Sequence, residues 1–217
     1  MLSLPNILTL ARIAAVPVVV VLILLDDHLW RWLALAVYAA ACVTDYLDGY
    51  LARVLDTQSD FGRLLDPIAD KILVGACLLV LTAVDAITGW TVVAALIILL
   101  REILVSGLRE FLAEMRVGMP VSKLAKWKTM IQMLALGFVI VGPSGESLLP
   151  SVLIGEVGLW AAAALTMITG YDYLVRGLRH ATPEAERARN QAQRPDKAAG
   201  GAPTTPANAL LWGPVNP

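Results

Sequence analysis

Two short stretches in the first third of the chain decide the fold, DYLDGYLAR at residues 45–53 and GRLLDPIAD at residues 62–70. Each holds two aspartates and adjoins a long apolar run, which precedes the first stretch and follows the second. At about 100° per residue, Asp45 and Asp48 share one helix face, and Asp66 and Asp70 lie one turn apart on the next helix. Only eight residues, 54–61, separate the two stretches, so both acidic faces are expected to meet at one end of two adjacent helices.

The composition around these stretches is that of a membrane protein. Of 217 residues, 58% are hydrophobic and 16% are charged, with a mean hydropathy of +0.69. Soluble domains carry about 25% charged residues. A water-soluble core of this length could not bury so much apolar surface, so lipid is the expected solvent. The net charge of −1 says little by itself, because the distribution of charge matters more than the sum. No nucleic-acid partner is expected.

Apolar runs of about 20 residues are long enough to cross a bilayer as helices. Six such runs are present, and we predict an all-α integral membrane protein with six transmembrane helices forming a catalytic domain over residues 1–180. The predicted spans are approximately 7–25, 30–50, 66–86, 90–108, 124–142 and 151–175. Residues 181–217 hold six of the twelve prolines, which predicts a flexible cytoplasmic tail that cannot form a packed core.

The basic residues predict the orientation, because cytoplasmic loops are enriched in Lys and Arg. The links after the first, third and fifth spans, together with the residues that flank them, contain a single basic residue, Arg31. The links on the other side are rich in them. Both termini and the acidic stretches are therefore expected to face the cytoplasm.

Carboxylates within a membrane are unfavourable, by about 2.5–3.5 kcal/mol each on insertion scales, so four of them together require an explanation. Packing through small residues, with acids paired to basic partners, explains one or two of them. Four acids interleaved with Gly49, Ala52 and Gly62 are better explained by hard divalent cations, which prefer oxygen ligands. The sequence thus predicts a Mg²⁺ or Mn²⁺ site.

These residues match the signature of the CDP-alcohol phosphotransferase family, D-x2-D-G-x2-A-R-x8-G-x3-D-x3-D, at all eight fixed positions. The resemblance covers about residues 3–180. It implies a six-helix membrane fold, often a homodimer, with two divalent ions held by Asp45, Asp48, Asp66 and Asp70. It also implies that Asp70 is the general base. The positions implied to bind the CDP-lipid are Asn6, Thr9, Gly49, Ala52, Arg53, Ser59 and Gly62.

Weaker matches point to one branch of this family, the phosphatidylglycerophosphate synthases. They include PNILTLAR at residues 5–12 and SKLAKWKT at residues 122–129. The branch implies transfer of the phosphatidyl group from CDP-diacylglycerol to sn-glycerol 3-phosphate in a bacterial cytoplasmic membrane. An acceptor with its own phosphate needs a cationic pocket, and Arg101, which interrupts an apolar run, is expected to face the bundle interior. The pocket candidates are Arg101, Arg109, Lys123, Lys126 and Lys128.

Other functions stay open at this point. The same chemistry could use inositol phosphate, serine or another alcohol as acceptor. A membrane cation carrier would more plausibly place its acids near the midplane of several helices and contain internal repeats. Here the four acids are confined to two consecutive helices and no repeat is evident. An inactive scaffold would not need the intact signature.

Overall fold

A computed structural model of the chain describes residues 4–54, 60–114 and 123–180. These ranges contain helices and turns but no strand. The predicted tail and Ser59 lie outside them. The helices are α1 (Leu4–Leu24), α2 (His28–Val54), α3 (Asp60–Ala83), α4 (Thr91–Glu114), α5 (Lys123–Val141) and α6 (Ser151–His180), with a 3₁₀ turn at Gly142–Gly145.

The six helices correspond in order to the six predicted spans, but several are longer. Helix α2 continues through the first acidic stretch to Val54, and α3 begins at Asp60. The link between α2 and α3 is therefore shorter than the fifteen residues that separate the predicted spans 30–50 and 66–86. Leu51, Ala52 and Arg53 are good helix formers with no proline among them, so the helix has no reason to end at the edge of the apolar run. Both acidic stretches are thus held on helical backbone.

Within the described ranges, four helices are long and apolar enough to cross a membrane, over Ile7–Leu24, Thr91–Ala113, Lys126–Gly145 and Ser151–Val175. Helices α2 and α3 have 27 and 24 residues, which is sufficient length. Their acidic stretches make them less apolar. The chain is therefore a multi-pass membrane protein, and the count of six spans stays a prediction.

The helices up to Gly177 form one compact unit, and a second unit begins at Leu178. In the first unit, α1 packs against α2 and α3, and α5 packs against α2 and α3. Helix α6 approaches α5 through two glycines. A Cβ added at Gly155 would lie 2.7 Å from Val139 Cγ2, and one added at Gly158 would lie 2.7 Å from Ala135 Cβ. Small residues permit this close approach, which is how membrane helices gain packing contacts.

The two ends of the bundle differ. The signature end, as we call it, is where α2 reaches Val54 and α3 begins at Asp60. The opposite end contains the link between α1 and α2, where Arg31 donates from Nη2 to Asp26 Oδ1 at 2.5 Å and from Nη1 to the Ile140 carbonyl at 3.2 Å. Between the ends, large apolar side chains are exposed on several helices, as lipid contact requires. They include Val21, Leu79, Leu100, Ile103, Leu134, Val157 and Met167.

Candidate active site

Arg12 joins the two acidic helices at the signature end. Its Nη1 atom lies 2.7 Å from Asp45 Oδ1 on α2 and 3.0 Å from Asp70 Oδ1 on α3. Helix α1 packs on both α2 and α3, so the Arg12 guanidinium reaches the two carboxylates at once. One nitrogen shared by two acids places these carboxylates side by side.

The acids and the cation differ in exposure. The Arg12 side chain is only 1% exposed, whereas those of Asp45 and Asp70 are 31% and 36% exposed. Thr9, one turn before Arg12 on α1, is buried as well. The carboxylates therefore have a buried counter-charge on one side and an open approach on the other. A charged ligand could reach them from the open side.

The other predicted site residues of this region can be placed by backbone only. Asp48 lies one turn after Asp45 on α2, and Asp66 lies one turn before Asp70 on α3. Their side chains are outside the described part of the chain, and so are those of Asn6, Gly49, Ala52, Arg53 and Gly62. Ser59 is outside it altogether. The assignments of these residues to metal or CDP-lipid stay predictions.

The chemistry of the acid pair fits a divalent cation. Asp45 and Asp70 offer hard oxygen ligands from neighbouring helices, and both are partly exposed. Asp48 and Asp66 start from adjacent turns of the same helices. Among the side chains that the structure describes, which do not include those of Asp48 and Asp66, no three acids, histidines or cysteines gather. Arg12 brings one positive charge to the pair, which is enough for one carboxylate.

A second charged cluster lies between α3, α4 and α5. Glu102 of α4 contacts Lys71 through Oε2 at 2.5 Å, and it contacts Lys128 of α5 through Oε1. The same Oε1 lies 3.6 Å from Arg101 Nη1. The side chains of Glu102 and Lys128 are 8% and 5% exposed. Three cations therefore surround one buried carboxylate.

Arg101 also extends from this cluster toward α6. Its Nη2 donates to Thr169 Oγ1 at 2.8 Å, and Thr169 donates in turn to the Leu165 carbonyl. The guanidinium carbon lies 5.9 Å from the centre of the Tyr173 ring, within the range of a cation–π contact. A Cβ at Gly170 would lie 3.0 Å from Arg101 Cγ, so the absence of a side chain there makes room for the arginine.

Three buried polar atoms near these helices have no hydrogen-bond partner among the described residues: Arg101 Nε, Gln132 Oε1 and Thr166 Oγ1. Gln132 lies one turn from Lys128 on α5, and Thr166 lies one turn from Thr169 on α6. Buried polar groups are normally paired with protein or with bound molecules. Such unpaired donors and acceptors are suited to a polar ligand or ordered water.

The five predicted acceptor-pocket residues have different positions. Arg101 faces the bundle interior, as predicted, and Lys128 is buried beside it. Arg109 and Lys126 are exposed, which suits a headgroup or positive-inside role as well as a pocket. Lys123 begins α5, and its side chain is outside the described ones. The structure thus brings two of the five together.

The sequence-based predictions gave no site role to Arg12, Lys71, Glu102 or Thr169. A signal was present for three of the four. Arg12 and Glu102 are charged residues within long apolar runs, and Lys71 directly follows Asp70. Intramembrane charges are functional candidates by default. Thr169 has no such signal, since a threonine in an apolar helix is common.

Comparison with known proteins adds independent evidence. The family model for CDP-alcohol phosphatidyltransferase matches residues 2–168. The CDP-diacylglycerol–glycerol-3-phosphate 3-phosphatidyltransferase of Rickettsia bellii is 47% identical over 171 residues, covering 79% of this chain and 93% of the relative. The protein of the same name from Cereibacter sphaeroides is 38% identical, covering 84% and 98%. A probable phosphatidylglycerophosphate synthase from Mycobacterium tuberculosis is 39% identical, covering 82% of each chain.

Proposed function

The chain belongs to the CDP-alcohol phosphatidyltransferase family, and from that premise we propose that it makes phosphatidylglycerophosphate. The reaction is transfer of the phosphatidyl group from CDP-diacylglycerol to sn-glycerol 3-phosphate, with release of CMP. Relatives that carry the name of this activity are 37–47% identical over most of the chain. The protein is thus a phospholipid-synthesising transferase of the membrane.

One observation carries the proposal: two charged clusters of opposite sign begin at consecutive residues of α3. Asp70 contributes to the acidic cluster with Asp45, and Lys71 contributes to the cationic cluster around Glu102. A reaction between a metal-bound pyrophosphate and a phosphorylated alcohol requires such neighbours. The acidic cluster serves the donor, and the cationic cluster serves the phosphate of the acceptor.

The family generally uses divalent cations, and the residues present fit them. We propose that Asp45, Asp48, Asp66 and Asp70 hold two such ions, Mg²⁺ or Mn²⁺. When bound, the ions neutralise charge on the pyrophosphate and on the departing CMP. Arg12 orients Asp45 and Asp70 from behind, through the nitrogen that both carboxylates contact.

Asp70 is proposed to take the proton from the acceptor hydroxyl. The freed oxygen attacks the phosphorus that carries the diacylglycerol, and the bond from that phosphorus to the CMP oxygen breaks. A general base must lie within hydrogen-bond reach of the proton it takes. Asp70 is partly exposed and sits between the two clusters, which supports this role. Its attachment to helical backbone, rather than to a loop, keeps the carboxylate in position.

Arg101 and Lys128 are proposed to bind the acceptor phosphate, with Arg109, Lys123 and Lys126 at its entrance. Arginine suits this task because its planar donors match phosphate oxygens. Arg101 Nε has no partner among the described residues and is available as a donor. Gln132 Oε1 and Thr166 Oγ1 also have no partner among the described residues, so they are available to the hydroxyl groups of the acceptor alcohol. Asn6, Thr9, Gly49, Ala52, Arg53, Ser59 and Gly62 are proposed to contact the CDP-lipid.

The donor's acyl chains must remain in hydrocarbon while its pyrophosphate is at the acids. An apolar groove of about 450 Å³ runs between α2 and α5, and its lining includes Cys42, one turn before Asp45. The Tyr38 hydroxyl in this groove donates a hydrogen bond to the Met133 carbonyl, so it needs no polar partner from a bound acyl chain. We place one acyl chain there.

Gly137 also lines the groove, and Gly137→Leu should raise the KM for the lipid donor while leaving the acceptor KM unchanged.

The proposed setting is the bacterial cytoplasmic membrane, with termini and site on the cytoplasmic side and two copies forming a homodimer. Lys71, Arg109, Lys126 and Lys128 lie toward the signature end, whereas Arg31 is at the opposite end, in agreement with positive-inside topology. Labelling of a single cysteine introduced at Trp90, which is 82% exposed near the opposite end, tests the orientation. Labelling from the cytoplasmic side would overturn it.

The decisive experiment is an acceptor screen with purified protein in lipid nanodiscs. CDP-diacylglycerol is supplied with glycerol 3-phosphate, inositol phosphate, serine or glycerol, and CMP release is followed during Mg²⁺ and Mn²⁺ titration. Metal-dependent release with glycerol 3-phosphate alone is the expected result. Selective use of inositol phosphate would replace the acceptor, and no release with any alcohol would refute the reaction. The Asp70→Asn variant serves as the inactive control.

A further inference from the structure

Glu102 is a carboxylate in the middle of the apolar helix α4 and has no place in the proposed reaction. It contacts Lys71 of α3, Lys128 of α5 and its neighbour Arg101. A buried acid needs one cation to balance its charge. Three cations at one acid exceed what stability requires, so the arrangement calls for a further explanation.

The charge balance of the cluster indicates what it binds. Lys71, Arg101 and Lys128 with Glu102 leave a surplus of two positive charges. A phosphate monoester carries about −1.5 to −2 charges at neutral pH. One bound phosphomonoester would therefore neutralise the cluster. The carboxylate lowers the repulsion between the cations while the phosphate is absent, and it leaves their remaining donors for that anion.

The direction of the Lys71 side chain also depends on Glu102. Asp70 is directed to Arg12, and the next residue, Lys71, is directed to Glu102. Without Glu102, the flexible ammonium of Lys71 would be drawn to the acids beside it, since opposite charges attract strongly where water is scarce. There it would compete with divalent ions for the same carboxylates. Glu102 thus separates the two clusters.

We infer that Glu102 is a positioning residue, which holds Lys71 and Lys128 toward the phosphate of a phosphomonoester acceptor and keeps Lys71 away from the metal-binding aspartates. This inference rests on the proposed function and refines it. It assigns roles to Glu102 and Lys71 that the acceptor-pocket residues do not include. It also joins acceptor recognition on α4 and α5 to metal binding on α3.

Steady-state kinetics of the full-length protein test the positioning role. In Glu102→Gln we expect the acceptor KM to rise by about tenfold or more, the usual size for a lost charge-assisted contact. The donor KM should change less than twofold, and the Mg²⁺ concentration for half-maximal activity should rise. Glu102→Asp keeps the charge and should recover much of the loss. Glu156→Gln, a half-buried acid near the opposite end, is the matched control.

A purely structural role predicts a different pattern. Equal increases in the KM for both substrates would overturn the inference. An unchanged acceptor KM and Mg²⁺ requirement in Glu102→Gln would overturn it as well. If Glu102→Gln does not fold, the same comparison is made with Glu102→Asp, whose shorter side chain should raise the acceptor KM to a smaller extent. An Asp variant with wild-type values for both substrates and Mg²⁺ would then overturn it.

A binding measurement separates this inference from the proposed function. Inorganic phosphate is titrated against wild-type protein and Glu102→Asp, and the thermal shift is recorded. We expect phosphate to stabilise wild type at lower concentration than the variant. Inactive wild type with glycerol 3-phosphate would refute the proposed function and leave this comparison intact. Equal phosphate shifts for both proteins would refute the positioning role even in an active enzyme.

Discussion

The opposite end and the signature end of the bundle both contain buried charges, but they balance them differently. At the opposite end, Arg31 has two nitrogens on Asp26 and a third on the Ile140 carbonyl. At the signature end, Arg12 is shared by Asp45 and Asp70, and Glu102 is shared by three cations. The first arrangement is locally neutral, and the second has unbalanced charge of both signs.

This difference distinguishes the charges that stabilise the fold from those that are proposed to bind ligands. A bundle built for stability alone would pair each acid of the signature end with one cation, because unpaired buried charge is unfavourable. Instead the excess negative charge is gathered on α2 and α3, and the excess positive charge on α3, α4 and α5. Segregation of this kind suits ligands of opposite charge, which would complete each cluster. The predictions below test whether the two ends differ in this way.

The largest effect is expected from Asp70→Asn. The substitution removes the proposed base and one metal ligand, and turnover should fall by about a thousandfold, within the range of lost acid–base and metal catalysis. CMP release and size-exclusion profiles would measure activity and folding. Asp85→Asn is a suitable control, because Asp85 lies in a turn with φ of 54°, which asparagine also adopts. Wild-type turnover in Asp70→Asn would remove Asp70 from the mechanism.

A smaller and more selective effect is expected from Arg101→Met. The change keeps an unbranched apolar chain over Gly170 and removes the donors to Thr169 and to the acceptor phosphate. The acceptor KM should rise by about ten- to a hundredfold, as for other charged hydrogen bonds, with little change in donor KM. Thr169→Val isolates the contribution of the protein contact. A rise in donor KM alone would place Arg101 outside the acceptor pocket.

Lys126→Ala should act in the same direction but weakly. Lys126 is exposed on α5, so solvent and salt screen its charge. We expect the acceptor KM to rise by about two- to threefold at low ionic strength and the donor KM to rise less. Repeating the assay at high salt should remove the difference. A larger effect on the donor would contradict the assignment of Lys126 to the acceptor side.

The smallest effect on activity is expected at the opposite end. Arg31→Met removes the pair with Asp26 and the bond to the Ile140 carbonyl. Stability should fall by about 1 kcal/mol, which corresponds to a Tm decrease of about 2–4 °C for a chain of this size. Both KM values should remain those of wild type. Altered acceptor KM in Arg31→Met would mean that the two ends are not functionally distinct.

Much of the fold could be predicted from the sequence, since six apolar runs correspond to six helices. The acidic stretches were predicted to be helical, but the ends of α2 at Val54 and of α3 at Asp60 were not predicted, because hydropathy locates the apolar part of a helix rather than its last residue. The pairing of Arg12 with Asp70 was also not predicted. These residues are 58 positions apart, and their contact depends on how α1 packs on α3.

The site could be predicted to the extent that residue spacing encodes it. The signature identified Asp45 and Asp70 because their separation along two helices is fixed. The residues of the cationic cluster have no fixed separation along the sequence that could identify them. Lys71, Glu102 and Lys128 come from three helices, and only tertiary packing shows that they share one carboxylate. Exposure likewise distinguished Lys128 from Lys126, two residues with the same charge one half-turn apart.

The bridge made by Arg12 has a consequence for biosynthesis. During synthesis, α1 leaves the ribosome first, and its guanidinium enters the bilayer before either carboxylate exists. Asp45 follows with α2. Asp70, which lies 58 residues after Arg12, follows with α3. The nascent chain therefore carries an uncompensated cation until the second helix is inserted and Asp45 can pair with it, and substitution of Asp45 would hinder membrane insertion as well as turnover.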